Sequence, residues 1–419
     1  MIDLVNRRVG LAAFIALAVS AAAPAVHAGD RHHDGDDNRY VVTNLVSDIP
    51  KLGGKFIDPN LKNAWGVAFS PGASPFWIAD NATGLSTLYD GDGTIVPLGS
   101  PSGGVTIPCP PPATVGQGSS CPPSPPPNNA APTGMVWNPT TGMSTGFLVP
   151  LTGKVASFIW ATEDGTISAW TLNLASNPFN AVLAVNNANV PNAMVGAVYK
   201  GLATGVNATG VIVTPPNMTD FVFLYVTNFR AGTIEVYGPA PSSSATGFYV
   251  PVTTDGNFTD ADIPRGYAPF GIQNINGNLF VTYAKQNAAK HDDVAGKGNG
   301  FVDVFDTDGH LLRRFASRGA LNSPWGVARA SFDFGRFSGD ILVGNFGDGR
   351  INAFDSDGNF LGQLRDTNGK LISIDGLWTL TLGGGAKSSS DTLYFTAGPT
   401  GETDGLFGTI TPAQDIDDN

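Results

Sequence analysis

The sequence predicts an all-β protein, a six-bladed β-propeller of four-stranded antiparallel blades whose last blade is completed by the N-terminal strand. Three observations carry the prediction. First, a four-strand frame recurs six times, most regularly from Ser323 to Leu364, where Pro324-Trp325-Gly326-Val327-Ala328, Asp340 to Asn345, Gly349 to Phe354 and Asn359 to Leu364 read as successive strands. A chain-long repeat of four short strands is the mark of a propeller. Second, the sixth copy stops nine residues after Ile410 without a fourth strand, while Tyr40 to Val46 is a β-branched strand with no partner next to it. Third, 53 glycines, 31 prolines and only 14% charged residues suit many short strands and tight turns, and 42% apolar content suffices for a core.

Taken in order, residues 1–28 read as a cleaved export signal: Arg7-Arg8, an apolar run from Val9 through Ala23, then Val26-His27-Ala28. That run is shorter than the ~20 residues needed to span a bilayer, and no later stretch is long and apolar enough, so no transmembrane segment is expected after signal removal. The expected location is exported, periplasmic or extracellular. Loss of Asp3, Arg7 and Arg8 removes a net +1 and takes the formal charge from −12 to −13. With this acidic balance and no Lys/Arg cluster, nucleic acid is not an expected partner. Residues 29–39 form a disordered polar tail, 40–412 the single propeller, and 413–419 an acidic tail. Cys109 and Cys121 are read as a disulfide of the exported chain.

Each first strand is anchored on a glycine, at Gly66, Gly134, Gly201, Gly271, Gly326 and Gly376, which lets inner strands crowd the axis. Second strands are the most apolar: Phe76 to Ala79, Phe158 to Ala161, Phe223 to Val226, Leu279 to Thr282, Ile341 to Gly344 and Leu393 to Thr396. Such runs mean burial on both faces. Third strands follow Gly-x-apolar-x-x-aromatic, as in Gly232 to Tyr237 and Gly300 to Phe305. Three are followed by Asp-x-Asp-Gly, at Asp90 to Gly93, Asp306 to Gly309 and Asp355 to Gly358. These are hairpin turns rather than calcium loops, for no closing glutamate follows. Fourth strands are expected at Thr94 to Leu98, Ala181 to Val185, Gly247 to Val252, His310 to Phe315 and Asn359 to Leu364.

The Pro-Trp-Gly-Val-Ala opening, the Gly-x-Ile-x-Ala-Phe third strand and the Phe-Asp-x-Asp-Gly hairpin resemble NHL-type blades, and residues 40–412 are similar to a family of exported bacterial NHL-like propellers of uncharacterised function. Such motifs are specific for architecture and nearly silent about activity. The resemblance implies a monomer that binds an unknown protein, peptide or carbohydrate through its channel-mouth face. The alternative is a metal-assisted hydrolase or lyase of the gluconolactonase-like type, with Asn228, Asn345, Asp375 and Glu402 supplying oxygens for a divalent metal; the sequence itself requires no cofactor and leaves enzyme activity open.

Strand direction puts the loops before first strands and those after second strands on one face. Those loops supply the candidate binding residues Asn63, Asn81, Asn228, Arg230, Lys285, Asn345, Asp375 and Glu402, with Lys200 and Glu163 among their neighbours. Asn81, Asn228 and Asn345 recur at similar positions, which suits a turn as well as a site. Two insertions, 99–132 and 285–299, fall on the same face and could roof the channel. The second contains His291, but too few histidines remain near the mouth for a histidine-held metal of the zinc lyase type.

Overall fold

In a computed structural model, the described residues are 38–413, except 73, 112–113, 115–120, 122–129, 142–145, 173, 176–177, 193, 208–220, 241–243 and 245. The expected leader and most of the polar tail lie outside them, as do most of the acidic tail and much of the first insertion. Six sheets of mostly antiparallel strands follow one another in the expected order. Blade 1 comprises Ala64–Ala68, Phe76–Asp80, Leu85–Tyr89 and Val105–Thr106; blade 2 comprises Pro132–Trp137, Phe158–Thr162, Thr166–Trp170 and Val182–Asn186. Blade 3 is Tyr199–Asn207, Phe221–Asn228, Thr233–Gly238 and Val250–Pro251; blade 4 is Tyr267–Ile275, Asn278–Lys285, Gly300–Phe305 and Leu311–Ser317. Blade 5 is Pro324–Arg329, Ile341–Asn345, Ile351–Phe354 and Phe360–Gln363, and blade 6 begins with Leu377–Leu382, Leu393–Ala397 and Leu406–Pro412.

The ring closes as the spare strand implied. Tyr40–Ser47 pairs antiparallel with Leu406–Pro412 from Tyr40↔Pro412 to Ser47↔Leu406, supplying the fourth strand of blade 6. Tyr40 is buried, its ring stacked 4.9 Å from Phe334 of blade 5 and its hydroxyl donating to the Phe334 carbonyl at 3.1 Å. The closing strand therefore ties two blades as well as two chain ends.

All six inner strands carry a register shift at the same level, at Ala64/Val67, Pro132/Met135, Tyr199/Gly201, Pro269/Ile272, Pro324/Val327 and Leu377/Leu380. A bulge frees backbone groups that must be satisfied elsewhere. Second-strand threonines do this: Thr227 accepts from Gly201 N at 2.7 Å and donates to Phe270 O of the next blade at 2.8 Å. Thr396 likewise accepts from Thr379 N and donates to Trp65 O across the closure.

Two boundaries differ from expectation. The sixth position of the inner ring is Thr379, against whose backbone Gly326 packs, and not Gly376; Gly376 serves a turn at φ +66°. In blade 1, Thr94 to Leu98 makes a single bridge, Tyr89↔Ile95, and the fourth strand is Val105–Thr106 from within the insertion. The apolar alternation was stronger at 94–98, yet the chain leaves the sheet there and returns later. The Asp-x-Asp-Gly segments are turns: Asp355 Oδ1 accepts from Asp357 N at 2.9 Å and Asn359 N at 2.8 Å, and Gly358 takes φ +90°. Cys109 and Cys121 are joined, with Cα atoms 5.8 Å apart.

Candidate functional site at the channel mouth

The residue preceding each inner-ring position points to the chemistry of the mouth. These residues are Trp65, Thr133, Lys200, Phe270, Trp325 and Trp378. Four are aromatic, and they close the axis. Trp65 stacks on Trp378 with centroids 3.5 Å apart, Trp378 on Phe346 at 3.9 Å, and Trp325 meets both tryptophans edge-on. With Phe229 and Phe270 they form one apolar cluster.

Lys200 breaks the aromatic pattern. It is 2% exposed, its Nζ 5.1 Å from the Trp65 ring centre and 5.9 Å from that of Phe229. A buried ammonium needs paired charge and hydrogen bonds. Glu163, in the loop after the second strand of blade 2, supplies Oε1, and Asp292 Oδ1 lies 3.6 Å away. Burial opposes the charge of Lys200, but Glu163 and Asp292 outweigh it and raise its pKa; burial likewise opposes ionisation of Glu163, yet Lys200 and His291 hold its pKa below the usual carboxylate value. Both remain charged at neutral pH.

An amide chain extends the cluster around the mouth. Asn81 Nδ2 donates to Glu163 Oε2 at 3.0 Å, Asn63 Nδ2 donates to Asn81 Oδ1 at 3.1 Å and to Glu402 Oε2 at 2.8 Å, and Trp378 Nε1 donates to Asn63 Oδ1 at 2.9 Å. Burial and the charge of Glu163 push the Glu402 carboxyl up.

The 285–299 insertion roofs this cluster. Gln286 Nε2 donates to Phe229 O at 2.5 Å in blade 3, Gly296 N donates to Asn322 Oδ1 at 2.6 Å in blade 5, and Asp292 reaches Lys200 between them. His291 Nδ1 lies 2.7 Å from Asp292 Oδ1, while its Nε2 is buried without a hydrogen-bond partner. That hydrogen bond is the first cause holding Asp292 down to about 2. Asp293 Oδ2 is also buried and unpartnered, and burial raises its pKa.

Of the residues expected at the mouth, Asn63, Asn81 and Glu402 come together with Glu163 and Lys200. The others do not join them. Asn228 donates to Glu235 at 2.6 Å and accepts from the Val198 and Ala231 amides, in a network with Tyr199 and Tyr237. Asn345 accepts from Asn322 N and donates to Ala320 O and Asp348. Asp80, not Asn81, is their structural equivalent, paired with Ala64 as Asn345 is with Pro324. Arg230 is 8% exposed and donates to Gly196 O at 3.0 Å, Lys285 is exposed at the base of the roof, and exposed Asp375 accepts from Thr400 N at 2.9 Å. Asn228, Asn345, Asp375 and Glu402 are therefore spent on separate hydrogen-bonded contacts and do not make one ligand set. The sequence signal for this charged cluster was a lysine where four of the other five blades carry an aromatic.

Two uncharacterized proteins of Acanthamoeba polyphaga mimivirus are similar to the chain: one is 31% identical over 380 residues, covering 90% of this chain and 80% of the viral protein, and another 30% identical over 366 residues, covering 86% and 82%. The chain belongs to the family of these mimivirus proteins. No described family profile matches it. Among solved structures, this member resembles a gluconolactonase from Xanthomonas campestris (TM-score 0.46, 14% identity, 84% of this chain and 87% of that one). It also resembles a streptogramin B lyase (0.45, 11%, 89% and 98%) and a Bacteroides thetaiotaomicron protein of unknown function (0.47, 9%, 88% and 76%). At such identities and scores the likeness bears on neither substrate nor mechanism.

Proposed function

We propose that this member of the mimivirus-protein family is a binding propeller that takes a ligand or partner protein at its roofed mouth. One observation carries the reading: the ammonium of Lys200, nearly buried, already occupies the position between Glu163 and Asp292, above an aromatic plug. The charges there hold a roof loop and an amide chain in place. The oxygens that a gluconolactonase-like metal would use in the resemblance are engaged separately, which leaves the hydrolase or lyase alternative without a ligand set at Asn228, Asn345, Asp375 and Glu402. Export belongs to the same proposal, supported by the leader-like residues 1–28 and by the Cys109–Cys121 bond, which suits an oxidising compartment.

The test compares ligand-induced thermal stabilisation of the wild type with that of Asn81→Ala at the mouth and Asp357→Asn on the opposite face, across panels of oligosaccharides and peptides. The reading expects at least one ligand whose stabilisation is lost in Asn81→Ala and kept in Asp357→Asn. Turnover of a lactone or ester that disappears on chelation would sink it in favour of the hydrolase.

A further inference from the structure

We propose that Glu163, His291 and Asp292 form a site for one dication of the zinc, cobalt or nickel class, which clamps the roof loop to blade 2. The proposal deepens the binding reading, on which it rests, by naming what locks the roofed mouth.

Three observations converge on it. One ligand atom from each of the three residues lies within 4.8 Å of the other two, the sole such group among the described residues. Metal bonds of ~2.0–2.2 Å bring donor atoms to about 3–4 Å of one another, so a small inward movement completes the set. The second observation is the state of His291. Its Nδ1 and Asp292 Oδ1 lie 2.7 Å apart, near the separation of two ligands on one small ion, and its Nε2 is buried with no hydrogen-bond partner. Nδ1 is therefore the ligand atom, since an ion on Nε2 would stand on the far side of the ring from Asp292. The third is charge. Glu163, Glu402, Asp292 and Asp293 act on the single ammonium of Lys200, with Arg230 at the margin beside Asp292. The enclosure is short of positive charge.

Nitrogen together with carboxylate oxygen selects transition metals over calcium or magnesium. Two ligands come from the roof and one from the blade 2 loop, so the ion joins two elements that both reach Lys200. Lys200 already holds Glu163 Oε1 and competes with the ion. The clamp is therefore a moderate binder that strengthens when the ammonium is removed.

The experiment uses the full chain carrying His32→Ala and His33→Ala, so that the tail histidines contribute nothing, dialysed against Zn2+ or Co2+ and then assayed for bound metal and for Co2+ d–d absorption. The expected result is one equivalent bound, at least tenfold weaker binding in His291→Ala, and tighter binding in Lys200→Gln, with no uptake of Ca2+. Equal binding by His291→Ala, or no retained Zn2+ in the parent chain, overturns the site; His291→Ala must melt with the parent in chelator, which separates ligand loss from misfolding. The ligand panel is repeated in chelator. Stabilisation by a saccharide or peptide there, with no metal uptake, overturns the clamp and leaves the binding reading standing. Metal uptake lost with His291→Ala, with no response to the panel, supports the clamp and removes the binding reading.

Discussion

The closure of the ring by residues 40–47 makes Tyr40→Ala the most informative single substitution. Tyr40 is 1% exposed, stacks 4.9 Å from Phe334 and 6.3 Å from Phe337, and donates one hydrogen bond to blade 5. Truncating a buried aromatic costs about 3–5 kcal/mol, and the hydrogen bond adds about 1 kcal/mol. An unfolding entropy of ~2.1 cal/mol/K per residue gives roughly 0.8 kcal/mol per kelvin for a unit of this size, so the combined loss of about 4–6 kcal/mol should lower Tm by about 5–8 °C. Val42, two residues on in the same strand, is 37% exposed, and Val42→Ala should stay within about 0.5 kcal/mol. Differential scanning calorimetry of the two variants reads the difference directly. If both shift Tm equally, the strand does not seal blade 6 through its buried face, and the closure argument fails.

Other expectations follow from the same geometry. Deleting residues 29–46 removes nearly all of the ladder against Leu406–Pro412 and should abolish cooperative unfolding, since roughly 1 kcal/mol per lost hydrogen bond plus the buried side chains rivals the ~5–15 kcal/mol that holds a domain folded. Gly66→Ala would place a Cβ 2.5 Å from Thr133 O and 2.9 Å from Met135 N, so a loss of about 3 kcal/mol is expected in chemical denaturation. Asp80 is wholly buried, and burial raises its carboxyl pKa well above the usual range, with Asp58 adding to the shift against the hydrogen bonds of Thr87. Because its folded value lies above its unfolded one, stability falls as pH rises from the unfolded pKa toward the folded one, at up to about 1.4 kcal/mol per pH unit. Asp80→Asn, which can still accept from Thr87 N, should raise Tm at neutral pH, with the gain vanishing near pH 4.

Much of the fold was legible because a propeller repeats its constraints. The apolar second strands must be buried on both faces, and Phe76, Phe158, Phe223 and Leu393 are buried as those runs required. The unpaired strand at 40–46 and the missing one after Ile410 could satisfy their edges only by meeting. Less legible was whatever depended on register: Thr379 fills the sixth ring position, where a threonine can bond Trp65 O across the closure, while the glycine that marks the other five positions recurs three residues earlier, at Gly376. The site was half legible. Loop position alone gathered Asn63, Asn81 and Glu402, but the same rule drew in Asn228 and Asn345, whose amides serve local backbone. Lys200 and Glu163 become central only when the roof from blade 4 brings Asp292 to them, a long-range contact that no local pattern records.

That contact is where the account is most exposed to measurement. Lys200→Met leaves Glu163 buried beside an apolar chain, a loss of about 3–5 kcal/mol for a broken buried pair, and frees Asp292 from the ring. Amide hydrogen exchange on the wild type and this variant reads the roof directly through Gln286, Val294 and Gly296, with Gly358 in the opposite-face hairpin as reference. A site closed by its roof predicts faster exchange at the three roof amides in Lys200→Met while Gly358 keeps its rate. Unchanged roof exchange in a folded variant would contradict it.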